Sequence, residues 1–271
     1  MCRLSDPGAG EPNASHLSVA HPARVYDVWL GGKNNYPADR DVAVLVTHHW
    51  PRAAAARENR RFLARVVRYL AQCQGIRQFL DIGSGLPGPG NTHEVAQAVD
   101  AWSRVVYVDS APVVAAHARA VMAGTSEGCC DFLQADLRDP GYILAQAART
   151  VDLARPVAVL LLAVLHFVPD ADNPAGVVTE LAAALAPGSC VAISHMTADF
   201  APEAVGGGVE AYNGLVPTAV LPRSHAQVTD LFAGLSLVAP GVVPICAWGS
   251  DTMARPVTDF YGGVGRKLPR H

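Results

Sequence analysis

From Gln78 onward, short apolar runs bounded by Gly, Pro and Asp alternate with longer stretches whose apolar residues recur three and four apart. The runs Gln78–Ile82, Arg104–Val108, Asp131–Gln134, Val157–Val164 and Cys190–His195 predict strands. The intervening stretches Asn91–Trp102, Pro112–Ala123, Pro140–Arg149, Pro174–Ala186 and Ser224–Phe232 predict helices. In the first of these, Asn91 and Glu94 are spaced as a start signal, and Val95, Ala98, Val99 and Trp102 predict the buried face. Ser224 and Gln227 are spaced as a capping box. Strand and helix in alternation point to an α/β fold with a mostly parallel sheet. No further strand–helix–strand units follow. Instead Leu235–Val238, Val242–Cys246 and Asp259–Gly265 read as short strands between turns, so the sheet is expected to finish in an antiparallel edge hairpin.

Ahead of this pattern, residues 1–18 lack apolar periodicity and read as a mobile tail. Between Ala23 and Leu70 two or three helices are expected, interrupted at Gly31-Gly32-Lys33-Asn34-Asn35, with Pro51 opening the last. The division that follows is a tail (1–18), a helical cap (19–75) and an α/β core (76–271), the cap and core forming one structural domain.

Composition narrows the function classes. Half the residues are hydrophobic and the net charge is −3, with Lys33 and Lys267 the only lysines, so there is no basic footprint for nucleic acid. The six cysteines form no CxxC pair, which argues against a zinc site or a disulfide framework and for a reducing, cytoplasmic setting. No apolar run reaches the ~18 residues of a membrane span. The longest, Val157–Val168, is interrupted by His166.

Candidate chemistry begins at Phe79-Leu80-Asp81-Ile82-Gly83-Ser84-Gly85-Leu86-Pro87-Gly88, a strand running straight into glycines before a capped helix. Glycines allow a sharp turn and close backbone approach to a ligand, and the helix start favours negative charge. The spacing Gly83-x-Gly85-x-x-Gly88 also satisfies the dinucleotide pattern. The next strand ends in Asp109, which can accept from both hydroxyls of a ribose in either NAD or S-adenosylmethionine. The third ends at Asp136-Leu137, placed to meet an adenine amino group and ring face. Three strands delivering Asp81, Asp109 and Asp136 to one rim favour S-adenosylmethionine.

The aromatic and amide groups of Tyr26-Asp27-Val28-Trp29-Leu30-Gly31-Gly32-Lys33-Asn34-Asn35-Tyr36 suit a cation and an amino-acid end, making Tyr26, Lys33 and Asn35 candidate cofactor contacts. His166 and His195 end the fourth and fifth strands, at the rim where open sheets bind ligands, and are candidates for acceptor chemistry. The segment from Ala198 to Pro222 reads as a flexible lid over the acceptor. No Asn-Pro-Pro-Tyr or Asp-Pro-Pro-Tyr follows the fourth strand.

The LDIGSG, VVYVDSAPVV and LQADLRDP segments resemble the first three motifs of class I S-adenosylmethionine-dependent methyltransferases. More narrowly, PARVYDVWLGGKNNYPADRD, NRRFLARVVRYL, RPVAVLLLAVLHFVPD and LAPGSCVAISHMTAD resemble an actinomycete-type family of such enzymes once catalogued as a domain of unknown function. The resemblance runs from about Pro22 to Lys267. It implies a Rossmann-like, seven-stranded sheet under a helical cap. It assigns Asp81, Gly83, Ser84 and Gly85 to the methionine and ribose side of the cofactor, Asp109 and Ser110 to the ribose, and Asp136 and Leu137 to the adenine. Ser84 stands where the family commonly has Thr. The implied partner is a small-molecule methyl acceptor, with no nucleic acid, membrane or metal, and oligomeric state open. Two rival readings remain at this point, a nicotinamide-dependent oxidoreductase using the same glycine loop and a non-catalytic S-adenosylmethionine-binding regulator.

Overall fold

The computed structural model describes residues 18–50, 55–121, 126–249 and 259–269. The expected tail therefore lies outside the described residues except for Ser18, as do Pro51 and the end of the helix expected to reach Ala123.

Five parallel strands form the body of the sheet: β1 (Gln78–Ile82), β2 (Arg104–Asp109), β3 (Cys129–Gln134), β4 (Ala158–Leu162) and β5 (Cys190–Met196). Every residue of β1, β4 and β5 is buried, as expected of parallel strands covered on both faces. The last strand, β8 (Phe260–Arg266), runs antiparallel to β5. Its other edge pairs with two short pieces, β6 (Ser236–Leu237) and β7 (Val243–Pro244), which behave as one interrupted strand. Counted so, the sheet has seven positions in the order β3-β2-β1-β4-β5-β8-β6. The antiparallel strand sits near the edge as the turn-rich C-terminal segment predicts, fringed only by the short β6 and β7. No helix among the described residues is long and apolar enough to cross a membrane.

Alternation along the strands sends residues to two cores. Phe79, Leu160, Ala192 and Val264 pack beneath α3 (Ala55–Gln72), whose Phe62, Val66 and Leu70 form its apolar stripe. Leu80, Ile82, Leu161 and Ile193 face the opposite side, against α6 (Pro140–Ala147) and α7 (Pro174–Ala184). Because α3 lies on β4, β5 and β8, it belongs to the core layer. The cap proper is α1 (Pro22–Leu30) and α2 (Pro37–His49), with α2 packed on α8 (Pro202–Asn213).

Two local expectations change. The helix expected over Asn91–Trp102 stops after α4 (Thr92–Gln97), and Trp102 is 70% exposed. Its buried side is largely polar because the strands beneath offer polar partners: Thr92 bonds Asp81, His93 bonds the Tyr107 hydroxyl, and Gln97 bonds the Ser103 carbonyl. The segment expected as a flexible lid contains α8, an ordered helix seated on α2, where a Cβ on Gly208 would come within 2.8 Å of Trp50. The capping box forms as expected at α9 (His225–Asp230), with Ser224 and Gln227 bonding reciprocally.

A buried ion pair fixes the cap. Arg24 Nε donates to Asp39 Oδ2 at 2.8 Å, and Asp39 also accepts from the backbone N–H groups of His21 and Tyr36 at 2.9 and 2.8 Å. The two side chains are 5% and 0% exposed. Removing one partner of such a pair strands the other charge away from water. Asp39→Ala should therefore lower unfolding free energy by about 3–5 kcal/mol in urea denaturation. A loss below about 1 kcal/mol, the scale of an exposed pair, would show that the cap is held by its apolar contacts alone.

Candidate active site

The rim of the sheet carries the site. On β1, Asp81 shares the α3 face with Phe79, which brings its carboxylate under α3 and the start of α4. Asp81 is 5% exposed, and the Thr92 hydroxyl donates to its Oδ2 at 2.6 Å. Burial pushes its pKa up to about 6, opposed by the Thr92 hydrogen bond and the Arg60 charge and reinforced by Asp109. Immediately after β1 the chain turns through Gly83 at φ +74°. A Cβ there would come within 2.3 Å of Val164, so the turn requires glycine on both counts. Ser84 Oγ is buried without a hydrogen-bond partner among the described residues.

Asp109 at the end of β2 holds this turn. Its Oδ2 accepts from Gly85 N and its Oδ1 from Ala111 N, both at 2.9 Å. Burial raises its pKa, against the pull of these backbone N–H groups. Ser110 and Leu137 line the same cavity. Asp136 lines it too, but its carboxylate is clasped by Arg138, with Nη2 to Oδ2 at 2.6 Å and Nε to Oδ1 at 3.0 Å. That clasp holds the Asp136 pKa below the ordinary carboxylate value, and Arg138 reaches on to Asp172 at 3.1 Å. A carboxylate offers about four acceptor positions, so Asp136 retains capacity for a ligand.

The cap closes the cavity from above. Tyr26 lines it, with its hydroxyl spent on the Ala56 carbonyl at 3.0 Å and on Asn59 Nδ2 at 3.1 Å. Lys33 stands exposed at the wall. Asn35 is not among the lining residues. Its amide donates to Asp27 Oδ2 at 2.8 Å, and Asp27 also accepts from Asn34 N at 2.9 Å. Asn35 thus pins the loop after α1, which corrects its expected direct contact with the cofactor.

The cavity is about 950 Å³ and extends along the rim to β4, β5 and β8. That end is walled by Val46 of α2, Trp50 directly after it, Val209 and Tyr212 of α8, Met196, Phe260 and the turn after β4. His166, in that turn, lines the cavity, is 5% exposed, and has no partner for Nδ1 among the described residues. Burial first, then His195 and Arg223, hold its pKa well below the ordinary histidine value.

His195 is placed differently from the expectation. It is fully buried, does not line the cavity, and has both ring nitrogens engaged, Nδ1 with Met196 O and Nε2 with Arg223 Nη1, each at 2.8 Å. An arginine can only donate, so Nε2 accepts and the proton sits on Nδ1. Burial is the main cause that lowers its pKa to about 4. His195 is therefore a brace. Arg223 completes it by bonding the carbonyls of Leu165 and Val168 at 2.9 and 2.8 Å, on either side of His166.

Sequence reasoning missed Asn59, Arg60, Thr92, Asp27 and Arg223. Asn59 carried a usable signal, a polar residue on the apolar stripe of an amphipathic helix, here bonded by the Ser194 hydroxyl at 2.6 Å. Asp27 bonds Asn34 and Asn35 within the cap segment, whereas Arg60, Thr92 and Arg223 depend on contacts between separate elements.

This architecture has known counterparts. Residues 9–268 match the model of the S-adenosyl methyltransferase family. A DUF574 family protein from Streptomyces avermitilis is 40% identical, covers 93% of this chain and 98% of its own, and superposes with a TM-score of 0.88. A candidate methyltransferase from Thermobifida fusca is 38% identical over 93% of this chain and 96% of its own, with a TM-score of 0.85. The plantazolicin methyltransferase, solved with S-adenosylhomocysteine, is 12% identical over 90% and 95% of the two chains with a TM-score of 0.53, a likeness of fold. No curated protein matches the sequence. With its glycine turn, acid-tipped strands and full-length match in hand, the chain belongs to the S-adenosyl methyltransferase family and is an S-adenosylmethionine-dependent methyltransferase of the class I fold.

Proposed function

We propose that this methyltransferase acts on a small molecule, at oxygen or nitrogen, within the single cavity shared by cofactor and acceptor. The observation that carries this reading is the continuity of one roofed space from Asp81, Asp109 and Asp136 to His166. Its volume, about 950 Å³, is at the upper end of the roughly 300–1,000 Å³ typical of small-ligand sites.

The residues present fit the cofactor. Ser84 Oγ is a buried polar atom with no partner, and Gly83 and Gly85 leave backbone where side chains would stand. Asp109 is oriented by two backbone N–H groups and offers its remaining lone pairs to ribose hydroxyls. Asp81 faces the methionine end, where its charge pairs with the ammonium group. Asp136 and Leu137 take the adenine, and Tyr26, Lys33 and Ser110 complete the wall. Bound S-adenosylmethionine supplies an electrophilic methyl group on a sulfonium centre. His166, neutral at physiological pH, accepts a hydrogen bond from the acceptor and orients its lone pair toward that methyl group, an alignment effect that supplies much of the acceleration in such transfers. The surrounding apolar wall excludes water.

Two outcomes test the cofactor half. In calorimetric titration the wild type should bind S-adenosylhomocysteine with a Kd of about 1 μM or tighter, near −8 kcal/mol. Asp109→Ala should weaken that binding roughly 100-fold, since charge-assisted hydrogen bonds contribute about 1.5–3 kcal/mol each. Equal binding by both proteins, or by neither, would sink the assignment.

Protonation of Asp81 makes the second outcome. Its folded pKa, raised to about 6, must fall when an ammonium group binds beside it, so binding releases a proton and affinity rises with pH up to about 6. Below that point S-adenosylhomocysteine affinity should drop about tenfold per pH unit, and Asp81→Asn should flatten the dependence. The same shift bears on the free protein. A folded pKa above the unfolded value means the folded state holds the extra proton between about pH 4 and 6, so this group favours folding at low pH and loses that contribution as pH rises through 6.

A further inference from the structure

The cavity wall sorts by charge along the sheet. Every charged side chain that lines it comes from α1 and its following loop, from α3, or from the rim of β1 to β3. The half over β4, β5 and β8, built by α2, α8, the 217–221 loop and the turn after β4, contributes no Asp, Glu, Lys or Arg. Its two titratable groups, His166 and Tyr212, are each 5% exposed and are held neutral by burial. The buried atoms His166 Nδ1 and Tyr212 Oη have no hydrogen-bond partner among the described residues.

From this we infer that the methyl acceptor is an uncharged molecule with an apolar body and a hydroxyl group, read by His166 and Tyr212. The inference rests on the methyltransferase reading of the same cavity and specifies its substrate class. An ionised carboxylate, phosphate or alkylammonium entering this half would give up its hydration with no opposite charge to meet it, a cost far above any gain from apolar contact. A hydroxyl enters without that penalty. It supplies one donor and two lone pairs, so it can satisfy unpartnered groups on the wall and still present a lone pair to the methyl carbon. In the transfer, that lone pair forms the new O–C bond while the C–S pair returns to sulfur, giving S-adenosylhomocysteine. The hydroxyl proton passes to the neutral His166 imidazole and is lost to solvent when the products leave. Trp50, Met196, Val209 and Phe260 supply the surface for the apolar body.

The test uses the protein saturated with S-adenosylhomocysteine and four probes of one skeleton: 2-naphthol, 2-methylnaphthalene, 2-naphthoate and 2-naphthylmethylammonium. The wild type should bind 2-naphthol at least tenfold more tightly than either ion. Tyr212→Phe and His166→Phe should each reduce the preference for 2-naphthol over 2-methylnaphthalene. Val209 is half-buried on the wall, so Val209→Lys can place a flexible cation there without strain. That variant should gain at least tenfold in 2-naphthoate affinity while still binding S-adenosylhomocysteine as the wild type does. Binding of either ion as tight as that of 2-naphthol, no binding of 2-naphthol, an unchanged preference in both phenylalanine variants, or no gain in Val209→Lys would overturn the acceptor assignment with the cofactor site intact. Failure of the wild type to bind S-adenosylhomocysteine would instead remove the methyltransferase reading beneath it.

Discussion

Asp109 clamps the glycine turn after β1 to the start of α5 (Pro112–Val121) by accepting from Gly85 N and Ala111 N with its two oxygens. Much of the cofactor half depends on that clamp. The turn has no side chains with which to hold itself, and Gly83 and Gly85 both sit at positive φ, where glycine pays the largest conformational cost of ordering. A carboxylate fixed at the end of a buried strand offsets that cost and leaves lone pairs facing the cavity. The same residue therefore shapes the loop and lines the cavity. Burial raises the pKa of both Asp109 and Asp81, and the Asp109 charge raises that of Asp81 further.

A second node governs the other half. Arg223 is buried and binds His195, Leu165 O, Val168 O and Asp170, tying the segment after α8 to the turn that carries His166. The Leu221 N–H also donates to the His166 carbonyl at 2.8 Å. His166 is therefore held from both sides of its backbone while its ring stays free of internal partners at Nδ1. The guanidinium also adds to the burial effect that keeps this imidazole unprotonated. One structural cation thus fixes the ring's position and keeps it neutral.

The parallel strands were legible in the sequence because burial on both faces leaves continuous apolar runs, and Gln78–Ile82 came out with the bounds expected. The acids at their tips were legible because strand ends coincide with the ligand rim in this class of sheet. Failures came where polar residues serve the interior. Periodicity placed Trp102 on the buried face, whereas the hydrogen bonds of Thr92, His93 and Gln97 to Asp81, Tyr107 and Ser103 bury those three instead and leave Trp102 out. His195 misled for a related reason, since its position at a strand end is shared by catalytic and bracing histidines alike. What separates them is the partner at each ring nitrogen, and Arg223 lies 28 residues further on.

The wall over β4, β5 and β8 was the least legible part, although its residues are ordinary. Trp50, Met196, Tyr212 and Phe260 come from four distant segments, and none is unusual where it stands in the sequence. Three successive glycines lie in α8, in the segment expected as a flexible lid, and each costs a helix about 1 kcal/mol relative to alanine. Gly208 instead lets α8 approach Trp50 more closely than a Cβ would permit, so that Val209 and Tyr212 are carried against the cavity. The helix gives up intrinsic stability for close contact with α2, and the cap that closes over the cofactor half also backs the acceptor wall. The acid-rich end of the cavity follows from local motifs because one turn and three strand ends build it. The apolar end does not, because it forms only where cap, α8 and the far side of the sheet converge.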